Sequence, residues 1–342
     1  MKILVTGGAG FIGSNLIRYL LGKHPEDRVV NLDVLTYAGN LENLSDVESN
    51  PRYRFVRGDI TDEKTVSEVF RDGVDAVVNC AAATHVDRSL FEPRVFVRTN
   101  VEGTLVLLEA ARRWGVRKFV QVSTDEVYGS LAAEGKFTED SPLRPSSPYA
   151  ATKAAADLLA LSYVRSFSVP VTVTRCGNNF GPYQFPEKVI PLFITNALED
   201  RWLPLYGDGA NVRDWIYVED HCSGLDLVLR EGRPGEVYHI GAENEWTNRE
   251  LTELILREMG KPASLIRLVE DRPGHDRRYA LDTRKIRSEL GWQPRHDFLD
   301  ALRRTIRWYR ENRGWWERVK RGEYREYYER AYGERLRGSV PA

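Results

Sequence analysis

The chain has 342 residues, of which 42% are hydrophobic and 11% aromatic, so it can bury one large core or two fused ones, and disorder is not expected. Lysine and arginine together number 49 against 50 acidic residues, so the overall charge favours neither nucleic acid nor an anionic membrane as a partner. The three cysteines lack metal-site spacing and cannot all pair, which favours a reducing cytoplasm and predicts no metal.

No apolar stretch is long enough to cross a bilayer, and the N-terminus does not have the pattern of a signal peptide. The cysteines, Cys80, Cys176 and Cys222, are interpreted as small buried residues rather than nucleophiles. We therefore expect a cytoplasmic protein without a membrane partner.

A glycine turn stands near the N-terminus, between a predicted buried strand at residues 2–6 and an amphipathic helix predicted to run to about Leu21. Gly7, Gly10 and Gly13 are three residues apart. This spacing lets the backbone turn tightly, approach a pyrophosphate and pack the helix on the strand. The turn therefore predicts a dinucleotide site with the phosphates at the helix N-terminus.

A second apolar strand, from Arg28 to Leu32, ends at Asp33. An acidic side chain at this position accepts hydrogen bonds from an adenosine ribose. It would repel a ribose phosphate, and no arginine follows immediately to hold one. The sequence therefore predicts NAD rather than NADP as the cofactor.

Strands and helices continue to alternate, as is typical of βαβ units, with a strand at residues 53–57, a helix at 63–70 and a strand at 76–80. Asp59 and Ile60, after the first of these, either flank the adenine or form a simple turn. Ala81 to Ala83 follow the next strand, and their small side chains would let the backbone approach a dinucleotide.

A polar cluster, Thr84 to Ser89, comes just outside a strand end, where open α/β sheets bind ligands. His85 in this cluster is either a ligand contact or a loop histidine. A long helix from about Arg94 to Trp114 carries Thr99 and Asn100 in an apolar pattern. A buried polar residue needs a partner, so these two either brace the backbone or meet the cofactor.

The next strand, Lys118 to Val122, is followed by Ser123, Thr124, Asp125 and Glu126 at its carboxyl end. About two dozen residues later, Tyr149 and Lys153 stand four apart and so share one face of a helix that Pro148 is expected to begin. A tyrosine with a pKa of about 10 is only about 0.1% ionised at neutral pH. Lys153 is therefore placed to stabilise a Tyr149 phenolate, although a surface pair is the other interpretation of this spacing.

With a further strand at residues 171–174, the chain up to Asn178 reads as a Rossmann-type, doubly wound, mostly parallel α/β sheet. Beyond it the alternation stops, which predicts a smaller α/β substrate-binding lobe. Residues 1–177 and about 212–243 are assigned to the NAD-binding domain, and about 178–211 and 244–342 to the lobe. Residues 205–209 are interpreted as turn-like, and the tail from Arg310 onward as a solvated helix.

Five sequence segments resemble those of the dTDP-glucose 4,6-dehydratase family of extended short-chain dehydrogenases/reductases acting on sugar nucleotides. The segments are residues 85–89, 124–129, 175–179, 182–188 and 271–276. The resemblance extends from Met1 to about Trp308. One departure is Gly177, where many members are expected to carry serine.

The resemblance implies a lyase with an internal redox cycle. Tyr149, assisted by Thr124, would remove the proton from the hydroxyl on sugar carbon 4 as hydride passes to NAD. Glu126 would then take the proton from carbon 5, and Asp125 would protonate the hydroxyl that leaves carbon 6. Hydride would return to carbon 6. Repulsion between the adjacent carboxylates would keep Asp125 protonated, and both can reach one sugar only if the strand has ended by Thr124.

The resemblance also assigns residues to the two ligands and implies a homodimer. The catalytic residues are Thr124, Asp125, Glu126, Tyr149 and Lys153. The NAD-binding residues are Gly7, Gly10, Phe11, Ile12, Gly13, Asp33, Asp59, Ile60, Ala81, Ala83, Thr99, Tyr149, Lys153 and Asn179. The residues for the nucleotide sugar are Thr84, His85, Thr124, Asn178, Lys188, Arg213, Asn248, Asp271 and His275.

Three alternatives remain open at this point. A nucleotide-sugar 4-epimerase would share NAD, Tyr149 and Lys153, but such enzymes usually carry small or uncharged residues in place of Asp125 and Glu126. A dehydratase acting on UDP-glucose would share every motif. A non-catalytic NAD-binding regulator would be expected to lack the tyrosine or the lysine, and this chain has both.

Overall fold

The computed structural model describes residues 1–321 and 323–341. In chain order the strands are β1 (Lys2–Thr6), β2 (Arg28–Asp33), β3 (Tyr53–Arg57), β4 (Ala76–Asn79), β5 (Lys118–Thr124), β6 (Val171–Cys176), β7 (Asn178–Phe180), β8 (Leu203–Tyr206), β9 (Val212–Tyr217), β10 (Val237–Ile240), β11 (Glu245–Thr247), β12 (Ile266–Val269) and β13 (Val340–Pro341).

The α-helices are α1 (Phe11–Lys23), α2 (Glu63–Arg71), α3 (Val86–Phe91), α4 (Pro93–Phe96), α5 (Gly103–Trp114), α6 (Pro148–Phe167), α7 (Val189–Leu198), α8 (Val218–Glu231), α9 (Asn248–Met259), α10 (Arg284–Leu290), α11 (Phe298–Glu311), α12 (Arg313–Val319), α13 (Glu323–Tyr328) and α14 (Glu334–Arg337). A π-helical segment, Val97–Glu102, joins α4 to α5. No helix within the described ranges is both long and apolar enough to cross a membrane.

A sheet of seven parallel strands, in the order β10-β6-β5-β4-β1-β2-β3, forms the larger part of the molecule. The chain builds outward from β1 to β3, then crosses back and builds from β4 in the other direction. The strand order therefore reverses between β1 and β4, and ligands bind outside the strand ends at such a point. The predicted doubly wound α/β sheet is confirmed.

Side-chain alternation in the strands creates a core on each face of this sheet. Ile3 and Val5 of β1 face α1 and α8, whereas Leu4 between them faces the layer that includes α2 and α5. All three side chains are fully buried. Burial on both faces explains why β1 reads as a continuous apolar run.

The smaller lobe is built on two three-stranded sheets, β11-β9-β7 and β13-β12-β8. Helices α7, α9 and α11 pack around them over a core that includes Phe193, Ile255 and Tyr309. The strand β9 pairs outside the main sheet, whereas β10, later in the same predicted segment of 212–243, pairs with β6 inside it. The division of the chain into two domains stays a prediction.

One local prediction was partly wrong. Residues 205–209 are predicted to be turn-like, but β8 runs to Tyr206 and pairs with β12, so the turn occupies only the last part of this stretch. The polar cluster at residues 84–89 follows β4, and α3 begins within it at Val86.

The prediction of a solvated helix after Arg310 was also wrong. Trp316 is fully buried and donates a hydrogen bond from Nε1 to the Tyr309 carbonyl at 2.8 Å. Trp315 is buried as well and donates from Nε1 to Asn43 Oδ1, which belongs to the other end of the chain. The arginines and glutamates of the tail are its outer face, and its aromatic residues complete the core of the smaller lobe.

Candidate active site

The strand β5 ends at Thr124, and a single 3₁₀ turn, Asp125–Tyr128, follows immediately. The Thr124 hydroxyl accepts a hydrogen bond from the Glu126 backbone N–H at 3.2 Å, which caps the turn. Both Asp125 and Glu126 line the same cavity. The condition set by strand geometry, that the strand must end by Thr124, is met.

The two carboxyl groups are shielded from water to different extents, since Asp125 is buried and Glu126 is half-buried. Asp125 is 2% exposed, and burial, followed by the charge of Glu126, raises its pKa well above the usual range. Burial also raises the pKa of Glu126, while the charges of Lys188, Arg272 and Arg213 oppose that shift. Asp125 therefore has the more strongly raised pKa and is the better proton donor of the pair.

Tyr149 enters this cavity from the first turn of α6. The helix begins at Pro148, as predicted, and the Ser147 side chain caps it by accepting from the Ala150 N–H at 3.1 Å. Burial raises the Tyr149 pKa well above its usual value, the nearby carboxylates add to the rise, and a hydrogen bond with Thr124 lowers it. The tyrosine is therefore protonated in this state.

Lys153 lies on the same helix face but does not contact the Tyr149 hydroxyl. Its ammonium donates to the Val122 carbonyl at 2.6 Å, and burial lowers its pKa. The Tyr149 pKa is raised overall, because burial and the two carboxylates have large effects on it, and stabilisation of the phenolate by Lys153 stays a prediction.

Thr99 and Asn100, the two polar residues in the apolar pattern of the long helix, have different environments. Asn100 braces the structure: its side chain pairs with both backbone polar groups of Ala83 and donates to Thr152 at 3.0 Å. Thr99 lines the cavity instead. Both lie in the π-helical segment, a type of distortion that often marks functional sites.

The glycine turn between β1 and α1 leaves no room for side chains. A Cβ atom at Gly7, where φ is +66°, would stand 2.7 Å from the Ala81 backbone, and one at Gly13 would stand 2.3 Å from the Gly7 carbonyl. The space outside the turn is open to the cavity. A cradle of bare backbone at a helix N-terminus fits a pyrophosphate.

Asp33, at the end of β2, connects this turn to the following loop. Its carboxylate accepts from the Ala9 N–H at 2.9 Å and from the Leu35 N–H at 2.8 Å. The carboxylate also lines the cavity, and its oxygens can accept further hydrogen bonds.

All of the residues predicted to bind NAD line one cavity of about 400 Å³, together with Tyr149 and Lys153. Asp59 and Ile60 are among them, so these two residues face the cavity as well as following β3. The size, the bare glycine turn and the aspartate at the strand end fit a dinucleotide. The residues needed to hold NAD are thus brought together by the fold.

A second, smaller cavity of about 150 Å³ adjoins the first, and Glu126, Asn178 and Lys188 line both. Of the residues predicted for the nucleotide sugar, it contains His85, Asn178, Lys188, Arg213, Asn248 and His275. Thr84 and Thr124 line the larger cavity. Asp271 lines neither; its carboxylate lies 2.6 Å from Nδ1 of His275 and so contacts the site through that residue.

The second cavity is lined by one buried cation, Arg213, and by two half-buried ones, Lys188 and Arg272. Arg213 is 6% exposed, donates to the Asp276 carbonyl at 2.9 Å and stacks on the Tyr279 ring at 4.3 Å. Lys188 donates to the Thr84 carbonyl at 3.1 Å. Within the described residues, three buried polar atoms of the lining have no hydrogen-bond partner: Nη1 of Arg272, Oδ1 of Asn178 and Nε1 of Trp215. An anionic ligand with polar groups would satisfy such a lining.

Several lining residues were not identified from the sequence: Tyr37, Glu187, Tyr206, Arg272, Tyr279 and Tyr332. Tyr206 was assigned to a turn and Tyr332 to a solvated tail. Arg272 lies between Asp271 and His275, in a segment that resembles the family. Its positive charge next to residues predicted to meet the nucleotide could have identified it. No local pattern distinguishes the tyrosines.

Gly177 and two of the three cysteines, Cys80 and Cys176, line the larger cavity. A Cβ atom at Gly177 would stand 2.8 Å from the Asp214 carbonyl, so the serine expected there would require a local shift. Cys176 and Cys222 are buried as expected, but Cys80 is only partly buried and lines the cavity. Burial raises the Cys80 pKa to about 12, which is unfavourable for a nucleophile.

Comparison with known proteins identifies close relatives. The profile of the GDP-mannose 4,6 dehydratase family matches residues 4–305. A dTDP-glucose 4,6-dehydratase from Streptomyces antibioticus is 56% identical over 326 residues, which cover 94% of this chain and 96% of the relative.

Solved structures of similar proteins include dehydratases and epimerases of sugar nucleotides. DesIV, a dTDP-glucose 4,6-dehydratase from Streptomyces venezuelae solved with NAD and dTDP bound, has a TM-score of 0.92 and 56% identity, covering 94% of this chain and all of DesIV. A UDP-glucose 4-epimerase from Thermus thermophilus in complex with NAD is more distant, with a TM-score of 0.85 and 33% identity over 91% of this chain and 100% of the epimerase. The chain belongs to the dTDP-glucose 4,6-dehydratase family of the extended short-chain dehydrogenases/reductases.

Proposed function

We propose that this enzyme converts dTDP-glucose into dTDP-4-keto-6-deoxyglucose and water. The observation that carries the proposal is the turn after β5, from which Asp125 and Glu126 line one cavity with Tyr149. An epimerase needs a redox base but no acid and base for elimination. The presence of both carboxylates therefore favours loss of water, and the product belongs to deoxysugar metabolism.

When bound, NAD supplies the acceptor for the hydride from sugar carbon 4 and later the donor of that hydride to carbon 6. Tyr149 removes the hydroxyl proton at carbon 4, and Thr124 shares its hydrogen bond. Lys153, positively charged and buried one turn along α6, favours the phenolate once the charges around the site have changed on ligand binding. Oxidation at carbon 4 makes the carbon 5 proton acidic.

Elimination then uses the two carboxyl groups in different protonation states. Glu126 takes the proton from carbon 5, and Asp125 gives its proton to the hydroxyl of carbon 6, so that this group leaves as water. Return of hydride to carbon 6 and of the proton to carbon 5 completes the deoxysugar. The more strongly raised pKa of Asp125 supports its role as the acid.

The nucleotide end of the substrate is proposed to occupy the smaller cavity. Arg213, Lys188 and Arg272 offer cationic groups for the diphosphate, and Asn178 and Asn248 offer amide groups. Binding would give the unpartnered Arg272 and Asn178 atoms hydrogen bonds. Apolar side chains, including Leu192 and Phe193, also line this cavity and suit a base.

The purified wild-type enzyme should convert dTDP-glucose into a product with the strong alkaline ultraviolet absorbance of a 4-keto-6-deoxy sugar. Comparing dTDP-, UDP- and GDP-glucose, we expect kcat/KM for dTDP-glucose to exceed that for UDP-glucose by at least about tenfold. The two nucleotides differ by the base methyl group, which contributes about that much in an apolar pocket, and by the 2′-hydroxyl of the ribose. Formation of the epimeric hexose without this absorbance would show that the enzyme is an epimerase.

Glu126→Gln should abolish water loss, because the amide cannot accept the carbon 5 proton, while the content of bound NAD stays that of the wild type. We expect kcat to fall at least about a hundredfold. Exchange of the carbon 5 proton with deuterated solvent, followed by NMR, should be lost too. Full turnover by this variant would remove Glu126 from the mechanism; Glu134→Gln, at an exposed glutamate, is the control.

Asp125→Asn should lower activity but increase stability. Because the Asp125 pKa is raised in the folded state, the unfolded carboxyl loses its proton at lower pH, and the contribution of Asp125 to wild-type stability falls as pH rises above about 4. The variant lacks this fall. Its free energy of unfolding at pH 8 should exceed that of the wild type by at least about 1 kcal/mol, with the difference closing near pH 4.

Urea denaturation across this pH range measures the effect. Asp140→Asn, at an exposed aspartate, is the matched control and should change stability by less than about 0.5 kcal/mol at each pH. Parallel pH profiles for wild type and Asp125→Asn would contradict the assignment of a raised pKa to Asp125.

We also propose that the enzyme is cytoplasmic and forms a homodimer. The three cysteines are free thiols, which supports a reducing compartment. For the dimer, the support is an apolar surface on the neighbouring helices α5 and α6. Leu105 is 38% exposed there, and Leu158 is 59% exposed. Large apolar side chains exposed together on two packed helices suit pairing with a second copy.

Leu158→Glu should convert the dimer into a monomer, because it would place a carboxylate at the centre of an apolar contact. Light scattering coupled to gel filtration gives the mass directly. Leu41→Glu, at a leucine that is 43% exposed in the short turn Leu41–Leu44, should leave the mass unchanged. A wild-type mass of one chain would refute the dimer.

A further inference from the structure

The loop that follows β2, residues 34–40, contains Tyr37, whose side chain contacts a part of the chain that is distant in sequence. The Tyr37 hydroxyl donates a hydrogen bond to Glu187 Oε1 at 3.2 Å, across 150 residues of sequence. Its ring meets the Phe185 ring edge-on, with the centroids 5.5 Å apart. Phe185 and Glu187 belong to the loop between β7 and α7, so Tyr37 joins two loops that are remote in sequence.

Arg88, on α3, contacts both members of this pair. Its guanidinium lies 3.8 Å from the centroid of the Tyr37 ring, and its Nε donates to Glu187 Oε2 at 3.2 Å. The Glu187 side chain is 1% exposed, and each of its oxygens has a donor, one from the tyrosine and one from the arginine. A carboxylate this deeply buried is stable only when paired in this way. We call the three residues the Tyr37–Arg88–Glu187 clasp.

The topology of the sheet determines what the clasp spans. Tyr37 follows β2, on one side of the point where the strand order reverses. Arg88 follows β4, on the other side, and Glu187 lies beyond β6 and β7 further along the chain. The clasp therefore connects the two halves of the fold across the point at which a dinucleotide binds.

The same cavity lies beneath these contacts. Tyr37, Phe185 and Glu187 all line the cavity of about 400 Å³ that also contains the glycine turn and Lys153. Burial and the Glu187 charge raise the Tyr37 pKa, so the hydroxyl keeps its proton and can act as donor. The contact is thus part of the wall of the cofactor site and not a surface pair.

We propose that the Tyr37–Arg88–Glu187 clasp retains NAD in the enzyme from one catalytic cycle to the next. This inference rests on the proposed function, in which the hydride removed from the sugar must return to the same sugar. Loss of the reduced cofactor before that return would strand a keto-sugar. The clasp must open before the dinucleotide can leave, and its hydrogen bonds add to the barrier for release.

The test compares Tyr37→Phe and Glu187→Gln with wild type and with Tyr238→Phe. The Tyr238 hydroxyl also donates to a glutamate, Glu289, at 2.9 Å, but on β10 at the edge of the main sheet, so its removal is a matched control. Each protein is loaded with radiolabelled NAD, mixed with excess unlabelled NAD, and sampled by rapid filtration. No sugar nucleotide is present.

We expect the rate constant for NAD release to rise about tenfold in Tyr37→Phe and in Glu187→Gln, equivalent to about 1.4 kcal/mol, and to stay at the wild-type value in Tyr238→Phe. During turnover of dTDP-glucose, both clasp variants should lose activity progressively, and added NAD should restore it. A wild-type rate of NAD release in both clasp variants overturns the proposal.

A general loss of structure would behave differently. Near-ultraviolet circular dichroism would detect it. Equally faster NAD release from Tyr238→Phe and from Tyr37→Phe would assign the faster release to lost stability rather than to the clasp, and would overturn the proposal. The release measurement needs no catalysis. Failure of wild type to dehydrate dTDP-glucose would therefore refute the proposed function separately.

Discussion

The hydrogen bond from the Glu126 backbone to the Thr124 hydroxyl ends β5 and starts a tight turn, and the arrangement of the site depends on it. If β5 continued by two residues, Asp125 and Glu126 would point to opposite faces of the sheet and only one could meet the sugar. Tyr149 reaches the same space from α6, whose start is fixed by Pro148 and the Ser147 cap. The end of β5 and the start of α6 thus bring three proton-transfer groups, Asp125, Glu126 and Tyr149, into one cavity.

This arrangement holds charged groups where water cannot stabilise them. Asp125, Lys153 and Arg213 are buried and Glu126 is half-buried, and burial moves each pKa toward the neutral form. Fixed charges in a dry site interact more strongly than in water, which favours proton transfer at the cost of stability. The unpartnered Arg272 and Asn178 atoms suggest that the site is electrostatically complete only with an anionic ligand bound.

Local signals in the sequence were enough to predict which elements come together around the larger cavity. The glycine spacing, Asp33 at a strand end and Pro148 before Tyr149 each act over a few residues, and the structure has them in the predicted positions. The mistakes concern residues whose environment comes from distant parts of the chain. The Trp315 indole bonds to Asn43, 272 residues away, and no local pattern in a tail rich in arginine and glutamate predicts this contact.

The substrate side shows the same limit. Tyr206 follows an alternation of apolar residues that is short and ends in glycine, so the stretch resembles a turn; pairing of β8 with β12 makes it a strand. Tyr332 reaches the cavity only because the tail folds back over the smaller lobe. Charged residues such as Arg213 and Lys188 could be assigned by resemblance, whereas the aromatic walls around them depended on long-range packing.

The fold alone does not decide the reaction, since a 4-epimerase with 33% identity has the same architecture. Both kinds of enzyme must hold the cofactor while a ketone exists, so closure of the cavity is a shared requirement. In this chain that closure has a second consequence. The burial that accompanies it raises the pKa of Asp125, and a carboxyl group with a raised pKa is better able to deliver a proton to a leaving hydroxyl. An enclosed cavity thus serves redox chemistry in general, and the carboxyl pair at the end of β5 directs it to dehydration.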